Sequence, residues 1–253
     1  MRIVLEPYRH LNTMRGVDMQ MVILAGGKGT RVQAIASGLP KALLPVAGRP
    51  FIDRQFELLV RNGIRDVLLC VGYLGDQIEA HVGDGARWGL RVAYARENPD
   101  QLRGTGGALV QALPHLAPAF FVMYGDSYLT ADFQAAARSF ETRHSRTLMC
   151  VFRNSGQWDK SNTRISDGRV VLYSKSAAPG TVDFIDYGLL LFRREVLEKY
   201  VDRNPPLDLA TIIGECVTAG MLDAFEVPER FYEIGKPSGL AELETYVREH
   251  PGE

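Results

Sequence analysis

The chain has 253 residues, a formal net charge of −1 and a hydrophobic content of 46%. That is enough for a sizeable core in one large domain or two small ones, and the near-neutral charge argues against nucleic acid or an anionic membrane as the main partner. No apolar run reaches the length of a membrane span, and residues 1–20 lack the long apolar stretch of a signal peptide. Cys70, Cys150 and Cys216 are odd in number and widely spaced, which reads as buried thiols in a reducing, cytoplasmic compartment. The five histidines are scattered, so no His/Cys metal cluster is expected.

In chain order, residues 2–5 form a candidate stray strand within an N-terminal extension, 1–18. The run Met21, Val22, Ile23, Leu24 reads as a short buried strand. Residues 51–61 carry apolar side chains at mostly helical spacing and stop at Asn62-Gly63. Strands follow at 66–71, 90–95 and 120–124, with helices at 74–82 and from Gly104 to Pro114 between them. This alternation predicts an open, mostly parallel, Rossmann-like α/β sheet with helices on both faces. Beyond that point a helix is expected over 131–144, strands over 147–152, 170–174 and 185–192, and a hairpin turn at Asp167-Gly168. A helix at 207–218, a strand at 224–227, a short edge at 231–234 and a C-terminal helix from Pro237 complete a small mixed β region. With no Pro/Ser-rich linker, residues 19–253 are read as one domain, with a half at about 19–130 and a second at about 131–253.

The first strand runs into Leu24-Ala25-Gly26-Gly27-Lys28-Gly29-Thr30-Arg31, and Leu39-Pro40-Lys41-Ala42-Leu43-Leu44-Pro45-Val46 follows. Glycine backbone with fixed cations is how proteins hold polyphosphates. A Walker loop would need Ser or Thr after Gly27-Lys28, where Gly29 stands. A dinucleotide fingerprint would need Gly or Ala at Val32, which disfavours a nicotinamide-dependent oxidoreductase. The spacing L-A-G-G-x-G-T-R followed by x-P-K-x-L-x-P-V resembles the sugar-1-phosphate nucleotidyltransferases, the nucleoside-diphosphate-sugar pyrophosphorylases. In size the chain is similar to short bacterial members such as heptose-1-phosphate guanylyltransferases and muramate-phosphate uridylyltransferases.

The resemblance implies transfer of a nucleoside monophosphate from an NTP to a sugar 1-phosphate or similar small phosphate, with release of pyrophosphate. It implies that Leu24, Ala25, Gly26, Gly27, Gly29, Thr30 and Arg31 bind the nucleotide, with Arg31 on the β- and γ-phosphates and Lys41 on the α- or the acceptor phosphate. Lys28 is either a further phosphate contact or a solvated loop charge. Gly104, Thr105 and Gly106 are expected against the nucleoside, although Thr105 also suits a helix N-cap. Asp126, at a strand end beside Gly125, is expected to bind Mg²⁺ rather than cap the next helix, for which Thr130 is better placed. Glu233 stands where the family usually has its second metal-binding Asp, and Lys236 where it has Thr. Lys175 matches a lysine that binds the acceptor phosphate, although the Glu before it and the Pro after it are missing. Ser174 and Asp186 occupy positions that contact the acceptor ring in the resembling enzymes. Glu97 is a candidate for the base edge; a carboxylate only accepts hydrogen bonds, so GTP or CTP is favoured over UTP. The partners are then an NTP and a small phosphorylated molecule, with homo-oligomerisation left open. The alternative is a catalytically silent, sugar-nucleotide-binding member of the same fold, to which the Glu233 substitution lends some support.

Overall fold

The computed structural model describes residues 17–29, 38–154, 156–178 and 180–251. The expected strand at 2–5 and the expected contacts of Thr30 and Arg31 lie outside them.

Strand β1 (Gln20–Leu24) is buried through its centre. Beyond the undescribed stretch come β2 (Pro45–Val46) and β3 (Arg49–Pro50), joined by Ala47 and Gly48, both at positive φ, as a primed hairpin turn requires. Helix α1 (Phe51–Arg61) stops at Asn62, and Gly63 takes the left-handed conformation after it. Then follow β4 (Asp66–Val71), α2 (Gly75–Val82), β5 (Arg91–Arg96), α3 (Gly104–Gln111), β6 (Ala119–Tyr124) and β7 (Ser127–Leu129). Helix α4 (Phe133–Thr142) is shorter than the expected 131–144, and its cap is Asp132, not Thr130. The Asp132 carboxylate accepts from Ala135 N–H at 2.9 Å, whereas the Thr130 hydroxyl donates to the Arg230 carbonyl at 2.7 Å. The chain continues through β8 (Thr147–Arg153), β9 (Thr163–Ser166), β10 (Arg169–Tyr173), β11 (Phe184–Arg193), α5 (Glu195–Glu198), α6 (Leu209–Thr218), β12 (Leu222–Val227), β13 (Phe231–Glu233) and α7 (Pro237–Glu249).

Among the described residues nine strands form one sheet in the order β5-β4-β1-β6-β11-β8-β12-β10-β9. The first four are parallel; β11 then runs antiparallel between β6 and β8. The mixed region of the second half thus continues the same sheet, and Asp167 and Gly168 make the β9–β10 turn with positive φ at both positions. Helices cover both faces, so a central strand feeds two cores: Met21 and Ile23 pack on one side and Val22 on the other. That is why β1 is a continuous apolar run rather than an alternating one. The three cysteines are buried and unpaired, and burial pushes the Cys70 thiol up to about 12. Among the described residues no helix is long and apolar enough to cross a membrane.

Candidate active site

Parallel strands end together, so the loops after β1, β5 and β6 meet above one edge of the sheet. They meet the ends of β10 and β13, the middle of β11 and the start of α6 around a cleft of about 980 Å³. Leu24, Ala25, Gly26 and Gly27 form one wall. Their backbone is tied to the end of β4 by Ala25 N–H to Cys70 O at 2.9 Å and Tyr73 N–H to Gly26 O at 3.1 Å. A Cβ at Gly26 would lie 2.9 Å from Glu97 Oε2 and 3.1 Å from Gly72 N, so only glycine fits between these loops. Glu97 also lines the cleft. Its Oε1 accepts from Arg103 N–H at 2.8 Å, and burial holds its carboxyl above the usual range against that N–H and the Arg103 charge.

Gly104 and Thr105 line the cleft as well, but Thr105 does not cap its own helix. Its hydroxyl donates to Asp208 Oδ1 at 3.0 Å and accepts from Leu209 N–H at 2.9 Å, fastening α3 to the start of α6. Gly106 lies off the lining: it is buried against Asp208 and Ile212, and its N–H is bound to Leu207 O at 2.9 Å. Gly29 lies off it too, packed against the aliphatic stem of Lys41. Ser174 is the third expected residue off the lining. β10 ends at Tyr173, and in the turn that follows Lys175 reaches the cleft while the Ser174 hydroxyl turns back to Ser176, accepting its N–H at 3.2 Å.

Asp126 follows β6, and Gly125 before it passes so close to β1 that a Cβ would lie 2.6 Å from Leu24 O. The Asp126 carboxylate pairs with Lys41 Nζ at 2.7 Å, both side chains being largely buried. β13 pairs antiparallel with β7, placing Glu233 beside Ser127 and Ile234 N–H on the Asp126 carbonyl at 2.9 Å. The two candidate metal ligands are thereby brought to one end of the cleft. Burial, then the Asp126, Asp159 and Asp186 carboxylates, push Glu233 up to about 7, against the opposing charge of Lys236. The residue is also open to solvent, and the Asp126, Asp159 and Asp186 carboxylates act on it in the same direction as burial. Among the described residues no three His, Cys, Asp or Glu side chains cluster as a metal cage. Two carboxylate ligands completed by phosphate oxygens and water is a usual arrangement for Mg²⁺, and the donor set fits it.

Asp186 lies in a bulge. Strand β11 loses register with β8 between Asp186 and Leu190, and Gly188 within that stretch has a φ of 84°. The irregularity turns Asp186 into the cleft. Its carboxylate accepts from Gly188 N–H at 3.0 Å and from the Tyr173 hydroxyl at 3.4 Å, and burial pushes its pKa up to about 6. Asn162 accepts the Asp186 N–H at 2.9 Å. Lys175 pairs with Asp208 at 3.7 Å.

The folded protein binds a proton at Asp186 more tightly than an ordinary Asp of pKa 3.8 does. Stability therefore falls as pH rises from about 4 to about 6, and above that the full penalty of the ionised group remains. Asp186→Asn is expected to stabilise the fold at pH 8 by about 1–2 kcal/mol after solvent screening is counted, with the gap closing towards pH 4. Urea denaturation of both proteins at pH 4, 6 and 8 measures this; a constant difference across pH would contradict it.

The nucleotidyl transferase profile matches residues 20–247. The chain belongs to the nucleotidyl transferase family. The chain is 38% identical over 128 residues to the N-acetylmuramate alpha-1-phosphate uridylyltransferase of Neisseria meningitidis, covering 50% of this chain and 54% of that protein. It is 34% identical over 114 residues to the D-glycero-alpha-D-manno-heptose 1-phosphate guanylyltransferase of Campylobacter jejuni, covering 45% and 50%. The matches thus span about half the length of these relatives. In fold it is similar to HddC of Yersinia pseudotuberculosis, solved in complex with GMP-PN, with a TM-score of 0.76, 24% identity and coverage of 90% and 99%. It also resembles the inositol-1-phosphate CTP transferase of T. maritima, with a TM-score of 0.75, 18% identity and coverage of 94% and 99%.

Sequence reasoning assigned no role to Tyr173, Asn162, Asp159, Lys160, Asp208 or Lys236, all of which line the cleft. Lys236 carried a signal, standing where the family pattern has Thr. The polar run from Trp158 to Asn162 carried a weaker one.

Proposed function

We propose that this protein is a Mg²⁺-dependent nucleotidyltransferase that couples an NTP to a sugar 1-phosphate or similar small phosphate and releases pyrophosphate. The observation that carries the reading is the cleft of a nucleotidyl transferase fold in which the Lys41–Asp126 pair and Glu233 face the glycine loop. The acceptor phosphate is already an anion, so no general base is needed. One of its oxygens attacks the α-phosphorus as the bond to the leaving pyrophosphate breaks, and the protein's part is positioning and charge neutralisation. Lys41 offers an ammonium to the phosphate oxygens, and the glycine loop admits the nucleotide backbone closely. Asp126 and Glu233 would hold Mg²⁺, which supplies positive charge against the phosphates.

Glu97 supports GTP or CTP over UTP. Arg103 N–H occupies its Oε1, leaving Oε2 beside Gly26 at the cleft wall to accept from a base N–H. Glu97→Gln is expected to move preference towards UTP or dTTP, and an unchanged ranking of NTPs would remove Glu97 from the base site. On the acceptor side, Asp186 replaces the polar group of the common hexose-phosphate enzymes with an acceptor-only carboxylate. A buried group left unpaired strongly disfavours the wrong ligand. Glucose 1-phosphate is therefore expected to be a poor acceptor, and a heptose phosphate or another phosphate bearing a donor for Asp186 a better one. Pyrophosphate release from four NTPs against a panel of phosphorylated acceptors tests the reading; no release from any combination would favour a silent sugar-nucleotide-binding protein.

A further inference from the structure

We infer that Gln55 on α1 is a positioning residue for the metal-binding carboxylates, fixing Asp126 and Glu233 relative to one another through the Ser127 carbonyl. This rests on the reading of those two carboxylates as the ligands of Mg²⁺. Gln55 is 0% exposed, and its Nε2 donates to Ser127 O at 2.9 Å. Ser127 is equally buried; it follows Asp126 and stands opposite Glu233 in the β7–β13 ladder. Ile234 N–H binds the Asp126 carbonyl. Antiparallel pairs alternate between bonded and non-bonded, so Ser127 and Glu233 form a non-bonded pair. The Ser127 carbonyl therefore points away from β13, and in a buried place it needs a donor from another element. Gln55 is that donor.

Strand β7 has few other anchors. It is three residues long and pairs with β13 alone, outside the nine-stranded sheet. The β11 bulge closes on it, where a Cβ at Gly188 would lie 3.2 Å from Ser127 Oγ. Helix α1 packs on it too, and the same helix is tied at its start to the turn that presents Lys41. Phe51 N–H binds Leu44 O at 2.9 Å, and Leu44 N–H binds Lys41 O at 3.0 Å. One helix thus holds the lysine turn at its N-terminus and the carboxylate strand near its middle. Packing alone does not account for an amide at position 55. Its Oε1 is buried with no hydrogen-bond partner among the described residues, a cost that an apolar side chain of the same length would avoid. What the amide supplies is the N–H to Ser127.

The test measures Mn²⁺ binding to the nucleotide-free protein by electron paramagnetic resonance, with urea unfolding of the metal-free protein alongside. Gln55→Met keeps the length of the side chain and exchanges one unpaired carbonyl, Gln55 Oε1, for another, Ser127 O, so the metal-free fold should survive. Its Mn²⁺ dissociation constant should rise about tenfold or more, as when other groups that orient metal ligands are removed. The Mg²⁺ concentration for half-maximal pyrophosphate release should rise with it, and kcat should return to near the parent value at saturating Mg²⁺. Gln134→Met is the control. That amide also fastens α1, donating to Asn62 O at 2.8 Å with its own Oε1 unpartnered, but it bonds to neither β7 nor β13. It should leave Mn²⁺ affinity unchanged. With Asp126→Ala losing Mn²⁺, three results overturn the inference while the metal assignment stands: parent-like Mn²⁺ affinity in Gln55→Met, an equal loss in Gln134→Met, or a metal-free Gln55→Met that does not fold. Equal Mn²⁺ binding by the parent and Asp126→Ala overturns both.

Discussion

Replacing Asp126 by alanine is expected to abolish turnover while the fold survives. Its side chain is 25% exposed at the end of β6, outside both apolar cores. What holds β13 against β7 at this point is its backbone, because Ile234 N–H binds the Asp126 carbonyl and not the carboxylate. Alanine keeps that bond. The cost to stability is the loss of one partner for Lys41, itself 20% exposed and able to turn to water, so a loss of about 1 kcal/mol or less is expected. The cost to the reaction is far larger, since a carboxylate that holds a divalent cation among phosphates accounts for several kcal/mol of transition-state charge stabilisation, roughly a thousandfold or more in rate. Pyrophosphate release at saturating Mg²⁺, with thermal unfolding as a control, measures both effects. A kcat within tenfold of the parent would show that Asp126 is no ligand.

Lys41→Met should lower kcat/KM by about two to three orders of magnitude. Methionine retains the aliphatic stem that packs on Gly29 and removes only the ammonium. A charge-assisted hydrogen bond to a transferring phosphate, made in a cleft partly withdrawn from water, is among the stronger single contributions a side chain makes to such a reaction. Removing it also frees the Asp126 carboxylate from its lysine partner, so Mg²⁺ affinity should hold or rise while turnover falls. Steady-state kinetics over a Mg²⁺ titration separates these effects. A fall of only a few-fold would place Lys41 on the rim, with its pairing to Asp126 a matter of structure alone.

The local elements and the motif were legible along the chain. Phe51–Arg61 and Asp66–Val71 appear with the expected bounds, because apolar spacing and the Asn62-Gly63 stop act within a single element. The Asp167-Gly168 turn is equally local. The Gly-rich loop and Lys41 identified the family because their spacing is fixed along the chain. Expectations failed locally where two polar residues competed for one role: Thr130 and Asp132 both suit a cap, and the carbonyl of distant Arg230 claimed the former.

The remainder depends on contacts between elements distant in the chain. No periodicity signals β7, a three-residue strand that exists because β13 pairs with it, and that pairing carries Glu233 to Asp126. The bulge in β11 aims Asp186 by a loss of register with β8, a property of two strands and not of one. Ser174 misses the cleft because β10 ends at Tyr173 and the turn after it folds the Ser174 hydroxyl onto the Ser176 N–H. Patterns within an element depend on a few neighbours along the chain. The meeting of Lys41 with Asp126, and of Glu233 with Asp126, depends on how the strands of the sheet are ordered, and that order is set by packing helices on both faces of one sheet.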